Sequence, residues 1–388
     1  MNLPQMFLIR QRFAAGKLAD VAGTLHAELA HCSIGTGKRI AIAVGSRGIA
    51  NLPAIVRGVA DWVRAQGGEP FIVPAMGSHA GATADGQRQL LEKLGITGAP
   101  IRSTMEVVPL GGNAFIDRYA FESDGVIVIN RVKPHTSFHS RYESGLMKML
   151  AVGLGKHTGA EAIHRLGVPG LREEIPVVAR QVLATGKILF GVALVENAYD
   201  ETLALAAIPA IEISVREPSL LGLARANMPH LPVDDIDVLV VDEIGKEISG
   251  TGMDTNVIGR LRIAGEGEPS RPRIKRIVVR DIRGDSAYGI GLADVTTSRL
   301  VKSANWKMTQ TNVETSGFLE RGKLPVVMET DAQAIEWALP AGSRVVRIPN
   351  TLRLEWVLVS ESVRQGIAGR NTIEVLRPAH DFFEAWPT

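Results

Sequence analysis

Cysteine is all but missing. Cys32 stands alone, which excludes an internal disulfide and any metal cluster built from thiolates only. Long apolar runs are missing too: none approaches the roughly 20 residues that a membrane helix needs, so no membrane-spanning role is expected. Charge of one sign never accumulates. With 43 basic and 41 acidic residues the net charge is +2, and neither a nucleic-acid arm nor a membrane-surface patch is expected. The opening MNLPQMFLIRQRFAAG lacks a sustained apolar core followed by a small-residue cleavage site, so the expected location is the cytoplasm. Internal repeats and low-complexity tracts are absent, as are the P-loop pattern, the glycine fingerprint of dinucleotide sites and HExxH. The common nucleotide and zinc-protease chemistries are thereby excluded. What remains is a globular chain of 388 residues, 45% hydrophobic, whose expected partner is a small molecule and for which a homo-oligomer is compatible.

Apolar strand candidates alternate with helical patterns. RIAIAV (39–44), FIVPA (71–75) and VIVIN (126–130) are separated by helices expected at 53–65 and 83–94. Runs apolar on both faces, interleaved with helices, predict a parallel sheet with covered faces. A second α/β pattern starts at VDDIDVLVVDEIG (233–245), continues through IKRIVVRDI (274–282) and gives way to strands after residue 339. RANMPHLPVD (225–234), with two prolines, reads as the linker. The fold class is α/β, expected as two lobes, each a mainly parallel sheet flanked by helices, with a ligand site in the cleft between them. The domains are expected at 1–230 and 231–344, with 345–388 considered as a return to the first.

In such sheets ligands bind beyond the carboxyl ends of the strands. The loops expected there are GSRGIAN (45–51), MGSHAGAT (76–83) and RVKPHTSFH (131–139). Five of the nine histidines fall between His79 and His164, and an imidazole near neutral pH takes a proton, gives one or binds a metal. His79 lies between glycines after a strand and before a helix that Thr83 could cap, where an anion would be welcome; a structural hydrogen-bonder is the plainer alternative. Pro134 forces Lys133 into extended geometry, so His135 should project from a strand-end loop, well placed for acid-base work. His139 is read as supporting or surface. Lys148 sits in GLMKMLAVGLG, where a desolvated amine becomes a better nucleophile, unless its long stem carries the charge to water. Thr158 and Glu161 predict a capping box opening the helix that bears His164. Arg47 would suit phosphate or carboxylate; a surface arginine is the alternative.

GLMKMLAVGLG, with His164 following Lys148 by 16 residues, the SHAGAT loop at His79, the arginine loop at Arg47, and the segments GMDTNVIGR (252–260) and GIGLADVTT (289–297) together resemble the nickel-pincer-nucleotide-dependent lactate racemase family over most of the chain. The resemblance implies an isomerase, a racemase or epimerase of 2-hydroxy acids. Its cofactor is a nickel-bound pyridinium-3,5-bisthiocarboxylic acid mononucleotide. It implies His164 as the nickel ligand and Lys148 as the residue that meets the cofactor, with a thioamide link as one form. His79 and His135 become the two bases on opposite sides of the substrate carbon. Arg47, Ser46, Gly77 and Ser78 become the cofactor-binding loops. Departures touch the substrate: where the family has a tyrosine, a glutamine and a lysine, DTNVIGRLR places Ile258, Gly259 and Arg262, so Arg260 or Arg262 is considered as a substrate partner in place of the lysine. The arginine loop also lacks the acidic residue that precedes the family's arginine. A sugar acid is considered beside lactate-like substrates. Two alternatives are kept: a different redox outcome such as net oxidation or dehydration, and a binding module for a hydroxy or sugar acid that is cofactor-free or differently metallated.

Overall fold

The computed structural model describes residues 3–46, 48–340 and 342–387. The chain forms two compact units, Ala15–Met228 and Pro229–Thr388 together with Met1–Ala14. Both are α/β, with mainly parallel sheets flanked by helices.

After β1 (Met6–Gln11), the first unit carries β2 (Arg39–Val44), β3 (Glu69–Pro74), β4 (Val107–Gly111), β5 (Ala114–Asp117), β6 (Gly125–Arg131), β7 (Ile188–Glu196) and β8 (Thr202–Pro209). Its main sheet has the order β3-β2-β6-β7-β8, with β3, β2, β6 and β7 parallel and β8 antiparallel. β2 and β6 are buried along almost their whole length, as the uninterrupted apolar runs require of strands covered on both faces. The helix Leu52–Ala65 covers one face through Ile55, Val56, Val59, Ala60 and Val63, spacings of three and four that put these side chains on one stripe. From β2 the chain moves to β3 on one side, and later returns to β6 on the other. The carboxyl ends of β2 and β6 therefore flank the switch point at which such sheets bind ligands.

The second unit adds β9 (Asp235–Ile244), β10 (Arg273–Ile282), β11 (Val295–Thr297), β12 (Val326–Met328), β13 (Val345–Ile348), β14 (Trp356–Ser360) and β15 (Ile373–Pro378). They form an eight-stranded sheet, β12-β11-β10-β9-β13-β14-β1-β15. Here the structure corrects the sequence reading. Residues 345–388 do not return to the first unit: β13 pairs in parallel with β9, and β14 and β15 both pair with β1. The N-terminal strand crosses over instead, carrying Leu8 and Ile9 into the second unit's apolar clusters. Among the described residues no helix is long and apolar enough to cross a membrane.

Candidate active site

The site lies at the carboxyl ends of β2, β3 and β6, within the first unit. Pro134 holds Lys133 extended, and Lys133 and Ser144 exchange backbone hydrogen bonds at 2.9 and 3.2 Å, closing the loop between them. Inside that loop Glu143, whose side chain is wholly buried, accepts from the backbone N–H of His135 at 2.6 Å and of Ser140 at 3.1 Å, and from His139 Nδ1 at 3.3 Å. Arg225 pairs with the same carboxylate. Burial alone would raise the Glu143 pKa, but these hydrogen bonds and the arginine charge outweigh it and leave it below the usual value. The loop is thus pinned by a charged interior group, and His139 is one of that group's partners.

His135 is half-buried and tilted against Phe138, ring centroids 4.5 Å apart. Its Nδ1 accepts from the Ser137 N–H at 3.0 Å, so a neutral ring carries its proton on Nε2. That nitrogen faces Lys148 Nζ at 2.5 Å. The contact sets the Lys148 amine against the His135 ring.

Lys148 ends the short helical turn Leu146–Lys148, which runs on as a π turn, Met149–Gly153; such turns recur at functional sites. Glu217, from the helix Ile213–Ala226, lies over the start of this turn and accepts from the Met147 N–H at 2.9 Å. A β-carbon at Gly145 would lie 2.6 Å from the Glu217 carboxyl, so only glycine lets the carboxyl approach. Burial pushes the Glu217 pKa up to about 7 against backbone hydrogen bonds from Met147 and Leu146.

His164 ends the helix Lys156–His164. Burial, and secondarily the Lys148 charge when present, lower its pKa to about 4, so its imidazole is neutral at physiological pH, the form that ligates metals. The expected capping box is not formed. The helix starts at Lys156, two residues before Thr158, with Gly155 at its N-cap and no side-chain cap; the glycine-lysine pair ahead of Thr158 already provides the turn.

The glycine loops close the set. Ser46 hydrogen-bonds His79 Nδ1, joining the ends of β2 and β3; His79 is exposed and Ser78 half-buried. Gly77 has φ +58°, and its N–H donates to Gly153 O at 3.2 Å. A β-carbon there would lie 3.3 Å from that of Ala160, one turn before His164. Thr83 caps the next helix, accepting from the Gly86 N–H at 3.1 Å. Arg47 lies outside the described residues. Glu196 already accepts from the Ala50 N–H at 2.6 Å at the entrance to the helix Leu52–Ala65, so this helix start is partly taken.

Ser46 and His79 thus form one contact and His135 and Lys148 another, with His164 in electrostatic reach of Lys148. Arg260 and Arg262 belong to the other unit. There Arg260 is buried and engaged by Asp294 at 2.7 Å and by the Leu292 and Ile274 carbonyls, which accounts for it as a structural ion pair, and Arg262 reaches the same Asp294 at 3.2 Å. Sequence reasoning missed Glu143, Glu217, Gln87, Asp117 and Lys156. The only signal for Glu143 was its place in an ESG triplet just before the apolar turn.

No family model and no curated protein matches the chain. Among solved structures, the lactate racemase apoprotein from Thermoanaerobacterium thermosaccharolyticum is similar over 89% of this chain and 98% of that one, at 12% identity and a TM-score of 0.49. A likeness of that degree assigns neither an activity nor a residue.

Proposed function

We propose that this chain inverts the configuration of a 2-hydroxy acid, a sugar acid among the candidates, with a nickel-pincer nucleotide held through Lys148 and His164. The observation that carries the reading is the Lys148–His135 contact beside a histidine kept neutral. The donor chemistry fits the cofactor. Among the described residues no three His, Cys, Asp or Glu side chains group for a metal, so nickel at His164 needs its other donors from a non-protein molecule, and a pincer brings its own. When bound, that group supplies a centre able to accept and return a hydride equivalent.

The rest falls to the chain. Lys148, set against His135, is the amine that meets the cofactor. His135, with its ring placed by the Ser137 N–H and by Lys148, is one of the two proton-exchanging groups of this reading. His79, with Nδ1 on Ser46, exchanges through its own Nε2. Two such groups are needed because the two enantiomers present their hydroxyls from different sides, and imidazoles with an ordinary pKa of about 6.5 suit that exchange near neutrality. Ser46, Gly77 and Ser78 would lie along the nucleotide, together with Arg47.

The test uses protein made in cells that also produce the pincer nucleotide. Intact mass and nickel content are measured, and 2-hydroxy acids are followed by chiral analysis. His79→Ala and His135→Ala should each lower inversion by about 10²–10⁴-fold with nickel retained; His164→Ala should lose nickel, and Lys148→Ala the mass increment. Full inversion in either base variant, or neither cofactor nor nickel on the wild-type chain, sinks the reading.

A further inference from the structure

Beside the His79 loop lies a buried polar group that the proposed chemistry does not use. Lys156 opens the His164 helix with no exposed surface and a left-handed φ of +55°, a conformation that a non-glycine residue keeps only when its surroundings hold it. Its Nζ donates to the Pro74 carbonyl at 2.5 Å and to Gln87 Oε1 at 3.1 Å, and pairs with Asp117 Oδ2 at 3.0 Å. Two hydrogen bonds and one ion pair thus surround the ammonium group. Asp117 is also fully buried. Burial lowers the Lys156 pKa and raises that of Asp117, each opposed by the other's charge.

Gln87, itself fully buried, passes this anchorage on. A side-chain amide is ambiguous until a neighbour decides which end is oxygen. Lys156 can only donate, so Oε1 turns to it and Nε2 turns the other way, donating to Gly77 O at 2.8 Å and to His79 O at 3.4 Å. Pro74 ends β3, and Gly77 and His79 belong to the loop that follows. One ammonium therefore grips the strand end directly and the loop through the amide, and it does so from the helix that carries His164.

We propose that Lys156 and Gln87 are positioning residues for His79, fixing its backbone relative to the His164 helix through the Lys156–Gln87–Gly77/His79 chain of hydrogen bonds. The importance of that placement for turnover rests on the reading of His79 as a base; the placement itself does not.

The test uses the full chain labelled with ¹³C-histidine. The His79 ring signal is assigned by its loss in His79→Ala, and His26 and His380 serve as internal controls. Gln87→Met keeps the volume but loses all three hydrogen bonds; Gln87→Glu keeps the acceptor for Lys156 but loses the donor to the loop; Lys156→Met removes the anchor. In every folded variant the His79 signal should shift and broaden and its titration midpoint should move, with the controls unchanged. With cofactor loaded, kcat should fall about 10- to 100-fold at unchanged KM, the scale of a misplaced reacting group. An unmoved His79 signal in folded Gln87→Met, or wild-type behaviour of Gln87→Glu, overturns the proposal. A moved signal with full inversion upholds the positioning and removes His79 as a base. Should Lys156→Met fail to fold, the two glutamine variants decide.

Discussion

A carboxyl that titrates near neutrality inside a protein couples protonation to stability, and Glu217 is such a group. Its pKa is raised from 4.5 to about 7, so between those values the folded chain binds more protons than the unfolded one. Stability from this group is complete below pH 4.5 and is lost as pH rises through 7. The full effect is on the order of 3 kcal/mol, taking about 1.4 kcal/mol per pH unit. His164, lowered from 6.5 to about 4, works in the opposite sense, its share being lost as pH falls. Urea unfolding of wild type and Glu217→Gln from pH 4 to 8 separates them: the difference between the two curves should change across pH 4.5–7, and parallel curves would show that Glu217 is not a titrating interior acid. His135 and Lys148 were legible in the sequence because each sits beside a marker of local structure, a proline or an apolar run. Glu217 was not, since the backbone it meets lies 70 residues away and nothing near Pro218 records the meeting.

Elements were legible where local chemistry decides them. Thr83 caps its helix because a hydroxyl accepts from the backbone N–H three residues on, and β2 spans the six residues its apolar run marks out. The start of the His164 helix was misread because a local capping pattern lost to the buried Lys156 anchor. The Lys148 turn depends on a close approach that sequence periodicity does not express. Gly145→Ala would force the Glu217 carboxyl off the Met147 N–H. A loss of about 1–3 kcal/mol is expected from such overpacking, together with a loosened Lys148–His135 contact. Urea midpoints and the rate of Lys148 acylation would reveal both changes; an unaltered midpoint and rate would mean that the turn is held by other contacts.

Among whole-molecule features, the α/β class was readable, but the route of the chain between the two units was not. β1 lies between β14 and β15 in the second unit's sheet, a pairing set by register with strands some 350 residues further on: Met6 opposite Ser360, and Ile9 opposite Val375. The unit Ala15–Met228 is continuous, with its own apolar core. Residues 15–228 alone should therefore unfold cooperatively, whereas residues 229–388 should do so only when a peptide spanning Met1–Ala14 is added. Cooperative unfolding of 229–388 without that peptide would show β1 to be dispensable. The same arrangement has a consequence for synthesis on the ribosome. β1 emerges well before its two neighbours, so it must wait, unpaired, while the whole of the first unit is made and folds between them. The second unit is completed only once β14 and β15 have followed, and contacts of such long sequence separation form slowly. In that interval β1 is the segment that a chaperone would have reason to hold.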